Sequence, residues 1–312
     1  MSGSIRGSRT GFVRPLACAL LLAAGLPAAA SADALGDYVA ARDKAMAQSI
    51  AAAKAGKSGD EAVVKREEAA LKDLGKRMAA VLGPVKFKGL GSPQYTLRLL
   101  SYDENTPARD LDGLSFSNKE FDTRIVVTPD AIFTSWLATR AKDDGAPTAF
   151  ASGVKAAAAT PEFYTNAVGF DGGFYQPYVE LPVAALPGET AIAWLGLQTE
   201  EPSGNTAPNE IAIVRIADGK AMAGITIAKL GAKPIPACDT VWKPFKAKAD
   251  ALQKQVEKDN KDEDPRWEEI TRIQDEGSAA YRACFVKEAP SQPFFAAAVK
   301  KAEALLGTAR GQ

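Results

Sequence analysis

The sequence predicts an α+β protein with a mostly antiparallel β core. N-terminal and C-terminal helical hairpins flank that core, and a disulfide clamps the C-terminal one. Three observations carry this prediction. Apolar residues recur at helical spacing through 33–83 and 234–312. Strand-like runs joined by short turns fill 84–233. Cys238 and Cys284 lie almost symmetrically about the polar run Asp259–Pro265, so a chain bent there brings the two thiols together. No internal repeat is evident.

Residues 1–32 read as a secretory signal peptide. Arg6, Arg9 and Arg14 form its basic start, Leu16 to Leu26 its apolar centre, and Ala30-Ser31-Ala32 a small-residue cleavage motif. The apolar run is too short to span a bilayer and has Pro27 near its end. Cys18 sits inside the apolar centre, which argues against a lipoprotein, and the lack of an Arg-Arg pair favours the general secretory route. No later segment is apolar for long enough to cross a membrane, so the expected location is periplasmic or secreted. Cleavage leaves about 280 residues, enough for one large core or two modest ones.

In an oxidising compartment Cys238 and Cys284 are expected to pair. The neighbours of Cys284, Ala283 and Phe285, supply no positive charge to activate a thiol. Closing a loop of about 46 residues stabilises the fold by about 4 kcal/mol in the chain-entropy account.

The elements follow in order. Leu35, Val39, Met46 and Ile50 mark one face of a first helix ending near Gly56. Asp60 stands where a cap belongs, and Val64, Leu71, Leu74, Met78 and Val81 mark a second helix that stops at Gly83-Pro84. Val85 to Leu90 and Tyr95 to Tyr102 look extended, and Arg124 to Val127 is a short strand. Thr128-Pro129-Asp130 offers a helix start with proline first, followed by Ile132, Phe133, Trp136 and Leu137 at helical spacing. The alanine-rich segment 145–162 is broken by Pro147 and Pro161 and predicts short helices.

Strand signals return at Phe174–Val183, Thr190–Gln198, Glu210–Ala217 and Lys220–Leu230. Asp218-Gly219 between the last two is the strongest hairpin signal in the chain. Trp242, Phe245, Ala249, Leu252 and Val256 then set the inner face of one clamped helix. Trp267, Ile270, Ile273, Gly277, Tyr281 and Cys284 set that of the other. A last helix runs from about Pro293 to Leu306, before Gly307.

Composition bounds the chemistry. There are 38 basic and 38 acidic residues and no histidine. Without histidine, Ser-His-Asp and Cys-His catalysis, imidazole bases and the usual zinc sites are excluded. The balanced charge gives no electrostatic reason to expect nucleic acid. Lys88-Gly-Leu-Gly-Ser92 fits neither a dinucleotide fingerprint nor a phosphate-binding loop. An EF-hand starting at Asp259 would need glycine at its sixth position and glutamate at its twelfth, where Asp264 and Ile270 stand. A second acidic cluster, Asp103, Glu104, Asn105, Asp110 and Asp112 in loop 103–112, carries oxygen ligands and is read as surface acids. No metal or cofactor is expected.

Paired carboxylates are the catalytic kit that remains. Asp171 and Glu180 are the candidates, set among Tyr164, Phe174, Tyr175 and Tyr178, aromatics suited to a sugar or another amphipathic ligand. Aromatics are strand formers first, so core packing is the stronger reading of that stretch. The functional expectation is an exported, non-enzymatic envelope or periplasmic protein that binds a partner protein or small amphipathic ligand. The alternative is a histidine-free hydrolase of envelope polysaccharide using Asp171 and Glu180. Lys243, Lys246, Lys254 and Lys258 on the first clamped helix are expected to pair with Glu268 and Glu269 across the hairpin.

Overall fold

The computed structural model describes residues 28–99, 111–143, 178–198, 207–231, 235–259 and 264–311. Its helices are α1 (Ala28–Lys54), α2 (Glu61–Leu82), α3 (Asp130–Asp143), α4 (Pro236–Asp259), α5 (Arg266–Glu288) and α6 (Pro293–Ala309). Its strands are β1 (Gln94–Tyr95), β2 (Leu114–Ser117), β3 (Thr123–Pro129), β4 (Tyr178–Leu181), β5 (Thr190–Gln198), β6 (Ala207–Ala217) and β7 (Lys220–Ile227). All seven join one antiparallel sheet in the order β1-β2-β3-β7-β6-β5-β4, with the helices flanking it. The α+β architecture read from the sequence is therefore the observed one.

The sheet is built outward from the β6–β7 hairpin. Asp218 and Gly219 take φ of 55° and 68°, the left-handed pair that a type I′ turn requires, and Ala217 faces Lys220 across it. β3 joins the free edge of β7, from Thr123 opposite Thr226 to Pro129 opposite Lys220. Pro129 thus ends a strand instead of opening a helix. A residue without an N–H costs nothing at a strand end, and the Asp130 amide bonds the Gly219 carbonyl at 2.9 Å before α3 begins.

Consecutive residues are buried along the central strands: Ile125 to Val127, Ile211 to Val214 and Ala221 to Ala223. Alternate residues point to opposite faces, so the sheet is covered on both. α6 packs across β4 to β7 with Phe294, Ala298, Ala302, Leu305 and Leu306 buried. α2 packs on β1 to β3 through Leu74, Met78 and Leu82. Each fully buried leucine contributes roughly 1.5–3 kcal/mol. Gly75 lets α2 approach closely, since a Cβ there would stand 3.2 Å from that of Tyr95.

Several expectations are corrected. Residues 87–90 form a turn and not a strand: Gly89 has φ of 79° and the Leu90 amide bonds the Phe87 carbonyl. β1 is only two residues long, and β2 carried no recognisable strand signal. The buried face of α1 is centred on Tyr38, Ala45, Ser49 and Ala52, one step from the expected stripe, because Tyr38 is drawn into a polar cluster at the sheet. Asp60 occupies the cap position of α2 without a side-chain cap bond; its carbonyl receives the Val63 and Val64 amides instead. α6 runs through Gly307 to Ala309, held at its end by Arg310.

Candidate functional site

The C-terminal hairpin carries a hydrophobic cluster separate from the main core. Cys238 and Cys284 are disulfide-bonded, with Cα atoms 5.4 Å apart. Cys238 and Phe285 belong to the main core, which anchors the base of the hairpin. Further out, Ala249, Val256, Ile270 and Ile273 form a second, separate cluster with Phe245 and Leu252. The principal packing partner of α4 is α5, and at 1.5 Å per residue α4 extends about 36 Å. The hairpin is an arm with its own miniature core, clamped at the root.

Between the two cores sit Trp242 and Gly277. The Trp242 ring is so close to α5 that a Cβ on Gly277 would lie 2.3 Å from its Cζ3 and 2.7 Å from the Phe245 Cβ. The indole Nε1 is buried there with no hydrogen-bond partner. Pro244, two residues beyond Trp242, removes a helical donor nearby.

At the far end Arg266 binds two acids, Asp259 and Asp264, on either side of the turn. Its Nε donates to Asp264 Oδ1 at 2.8 Å, its Nη2 reaches Asp264 and Asp259, and its backbone amide bonds Asp264 Oδ1 at 2.9 Å. These two carboxylates are thereby occupied in closing the turn. Trp267, expected on the inner face, is 37% exposed beside this clamp. The charges along the arm also differ from expectation. Besides Arg266–Asp259 at the turn, an ion pair between the helices joins Lys248 to Glu269 at 3.9 Å, while Lys246 pairs with Asp250 along its own helix. Lys243, Lys246, Lys254 and Lys258 are all exposed.

Two buried polar clusters fasten the rest of the fold. In the first, Tyr38 Oη lies 2.7 Å from Tyr95 Oη and donates to Asp112 Oδ2 at 3.1 Å, and Arg42 Nη1 donates to the same oxygen at 2.9 Å. Burial pushes the Asp112 carboxyl above its usual range, against the pull of Arg42 and Tyr38. Asp112, expected on a surface loop, is a core residue that docks α1.

In the second, Glu189 accepts from Arg215 Nε at 2.6 Å, from the Leu186 amide at 2.8 Å and from Arg310. Burial pushes this carboxyl up. The hydrogen bonds from Arg310, the Leu186 amide and Arg215 outweigh that effect and hold it at about 2.

The paired-carboxylate candidates are not brought together by anything described. Glu180 lies on β4, opposite Trp194 of β5, and is exposed. Tyr178 opens β4 opposite Gly196. Tyr164, Asp171, Phe174 and Tyr175 lie outside the described residues, as do segment 145–162 and the acids of loop 103–112 before Asp112. Among the described residues there is no group of three or more acidic, cysteine or histidine side chains that could hold a metal ion. No described helix is long and apolar enough to cross a membrane. Compared with known proteins, the chain matches no family model, no curated sequence and no solved structure.

Proposed function

We propose that this chain is an exported, non-enzymatic envelope or periplasmic protein whose clamped arm docks a partner protein. The observation that carries the reading is the separation of the two cores: among the described residues, Ala249, Val256, Ile270 and Ile273, with Phe245 and Leu252, bury their apolar surface in a cluster separate from the core over the sheet. A projection of this length costs conformational entropy to order, and the apolar cluster formed along it by the described residues is small. Export is supported by the basic, apolar and small-residue pattern of residues 1–32 and by the disulfide, which persists in oxidising compartments. Cleavage after Ala32 would leave α1 from Asp33 onward, with its anchor Tyr38 intact.

The test is site-specific photocrosslinking in the native envelope. A photoreactive residue replaces Ala247, Ala251 or Ala279, all exposed on the arm, with Glu68 on α2 as control. The reading expects one discrete adduct from the arm positions and none from the control. Adducts of equal yield from both, or from neither, would overturn it. Appearance of the unprocessed chain in the cytoplasm would overturn the export half separately.

A further inference from the structure

The turn between β2 and β3 holds a residue in a conformation its side chain disfavours. Phe121 has φ of 58° and is 65% exposed. Left-handed backbone is costly for any L-residue and uncommon for bulky ones, whereas glycine takes it freely. Packing returns little of that cost, because most of the ring faces solvent.

The turn is also pinned. The Phe121 amide bonds the Asn118 carbonyl at 3.2 Å, and the Thr123 amide bonds Asn118 Oδ1 at 3.3 Å. From β7, the Ile227 amide and the Thr226 hydroxyl both bond the Asp122 carbonyl, at 2.7 Å and 3.0 Å. A strained, solvent-facing aromatic on a rigid frame gains its return outside the chain.

The same end of the sheet gathers positive charge. The turn at 87–90 is tied there by the Gly91 amide on the Ser117 carbonyl at 2.8 Å and by the edge contact of Phe87 with Phe116. That tie brings in Lys86 and Lys88. Lys119 lies on the Phe121 turn itself, and Lys229 follows Ile227 by two residues. All four lysines are exposed, against Glu120 and Asp122 on the same described turns.

We propose that this end of the sheet is a contact for an anionic lipid surface. Phe121 enters the boundary between headgroups and acyl chains, and Lys86, Lys88, Lys119 and Lys229 face the lipid phosphates. A protein pocket would accept the same ring, but the excess of lysines around it favours a negatively charged plane. One ring and four lysines make a reversible contact, weakened by salt.

The experiment is vesicle flotation of the purified chain with phosphatidylcholine vesicles, with or without an equal part of phosphatidylglycerol. The expected result is partition onto the anionic vesicles only. Phe121→Gly should lower it about tenfold without lowering the melting temperature. Lys86→Ala and Lys88→Ala should each lower it about fivefold. Wild-type chain that ignores anionic vesicles, or Phe121→Gly chain that binds them unchanged, would overturn the proposal. A melting temperature lowered by Phe121→Gly would refute its premise that the ring does nothing for the fold. A protein adduct formed at the turn and lost with Phe121→Gly, while vesicle binding persists, would reassign the tip to a protein pocket.

Discussion

Replacing Gly277 by alanine tests the junction between the two cores with a sign and not only a size. A Cβ at this position would sit 2.3 Å from Trp242 Cζ3, 2.7 Å from its Cε3 and 2.7 Å from the Phe245 Cβ. Comfortable carbon–carbon contact begins at about 3.5 Å, so the nearest ring atom must retreat by about 1.2 Å. A ring edge alone could swing aside, but Trp242 is 93% buried (7% exposed) and the Phe245 Cβ is fixed to the α4 backbone. The two helices must part, close to a root held by the disulfide. Overpacking of this kind costs about 1–3 kcal/mol, while exchanging glycine for alanine in a helix returns about 1 kcal/mol.

The expected net effect is therefore a loss of up to about 2 kcal/mol, read as a lower urea midpoint with the disulfide intact. Gly307 supplies the control: it lies within α6, and nothing stands within 4 Å of a Cβ built there. Gly307→Ala should stabilise the protein by up to about 1 kcal/mol. If Gly277→Ala also stabilises, by a similar amount, the close approach of Trp242 to α5 is not real and the two-core description of the arm fails with it.

Three further outcomes follow from the same geometry. Replacing both Cys238 and Cys284 by alanine should cost about 4 kcal/mol, and non-reducing peptide mapping of native protein should recover the two cysteines in one linked pair; free, alkylatable thiols in native protein would contradict this. Glu189, held at about 2 against an ordinary 4.5, contributes stability that is fully present above pH 4.5 and is lost as pH falls from there towards 2. Glu189→Gln should flatten that part of the acid melting profile, and an unchanged profile would remove Glu189 as its source. Arg42→Ala leaves the Asp112 carboxylate buried with Tyr38 as its remaining described donor and should cost about 3 kcal/mol. Pairing Arg42→Met with Asp112→Asn should recover most of this loss in thermal melts, and a double variant as unstable as the single one would refute the ion pair as the cause.

Local rules made much of the fold legible. The β6–β7 hairpin could be read directly, because Asp218-Gly219 supplies the two left-handed residues and the flanking isoleucines supply the strands. The arm was legible for a similar reason: Trp242, Phe245, Ala249, Leu252 and Val256 repeat at helical spacing, and the cysteines mark equal distances from the bend. β2 was not legible. Leu114–Ser117 is short, and its register comes from β3, a partner formed later in the chain. Trp267 was misplaced because helical spacing identifies a stripe without saying where the stripe stops, and α5 rotates Trp267 out beside the Arg266 clamp.

By itself, the sequence determined what kinds of chemistry are closed, through the missing histidines, and which segments repeat at helical or strand period. It determined the disulfide partners too, since two cysteines in the expected processed chain leave one pairing. Only the tertiary structure decided that Asp112 and Glu189 are structural anchors, that the arm carries a core apart from the sheet, and that Phe121 stands exposed in a left-handed turn. Each of these depends on contacts between residues far apart in the chain, and spacing along a sequence records local periodicity but not which distant surface will meet it.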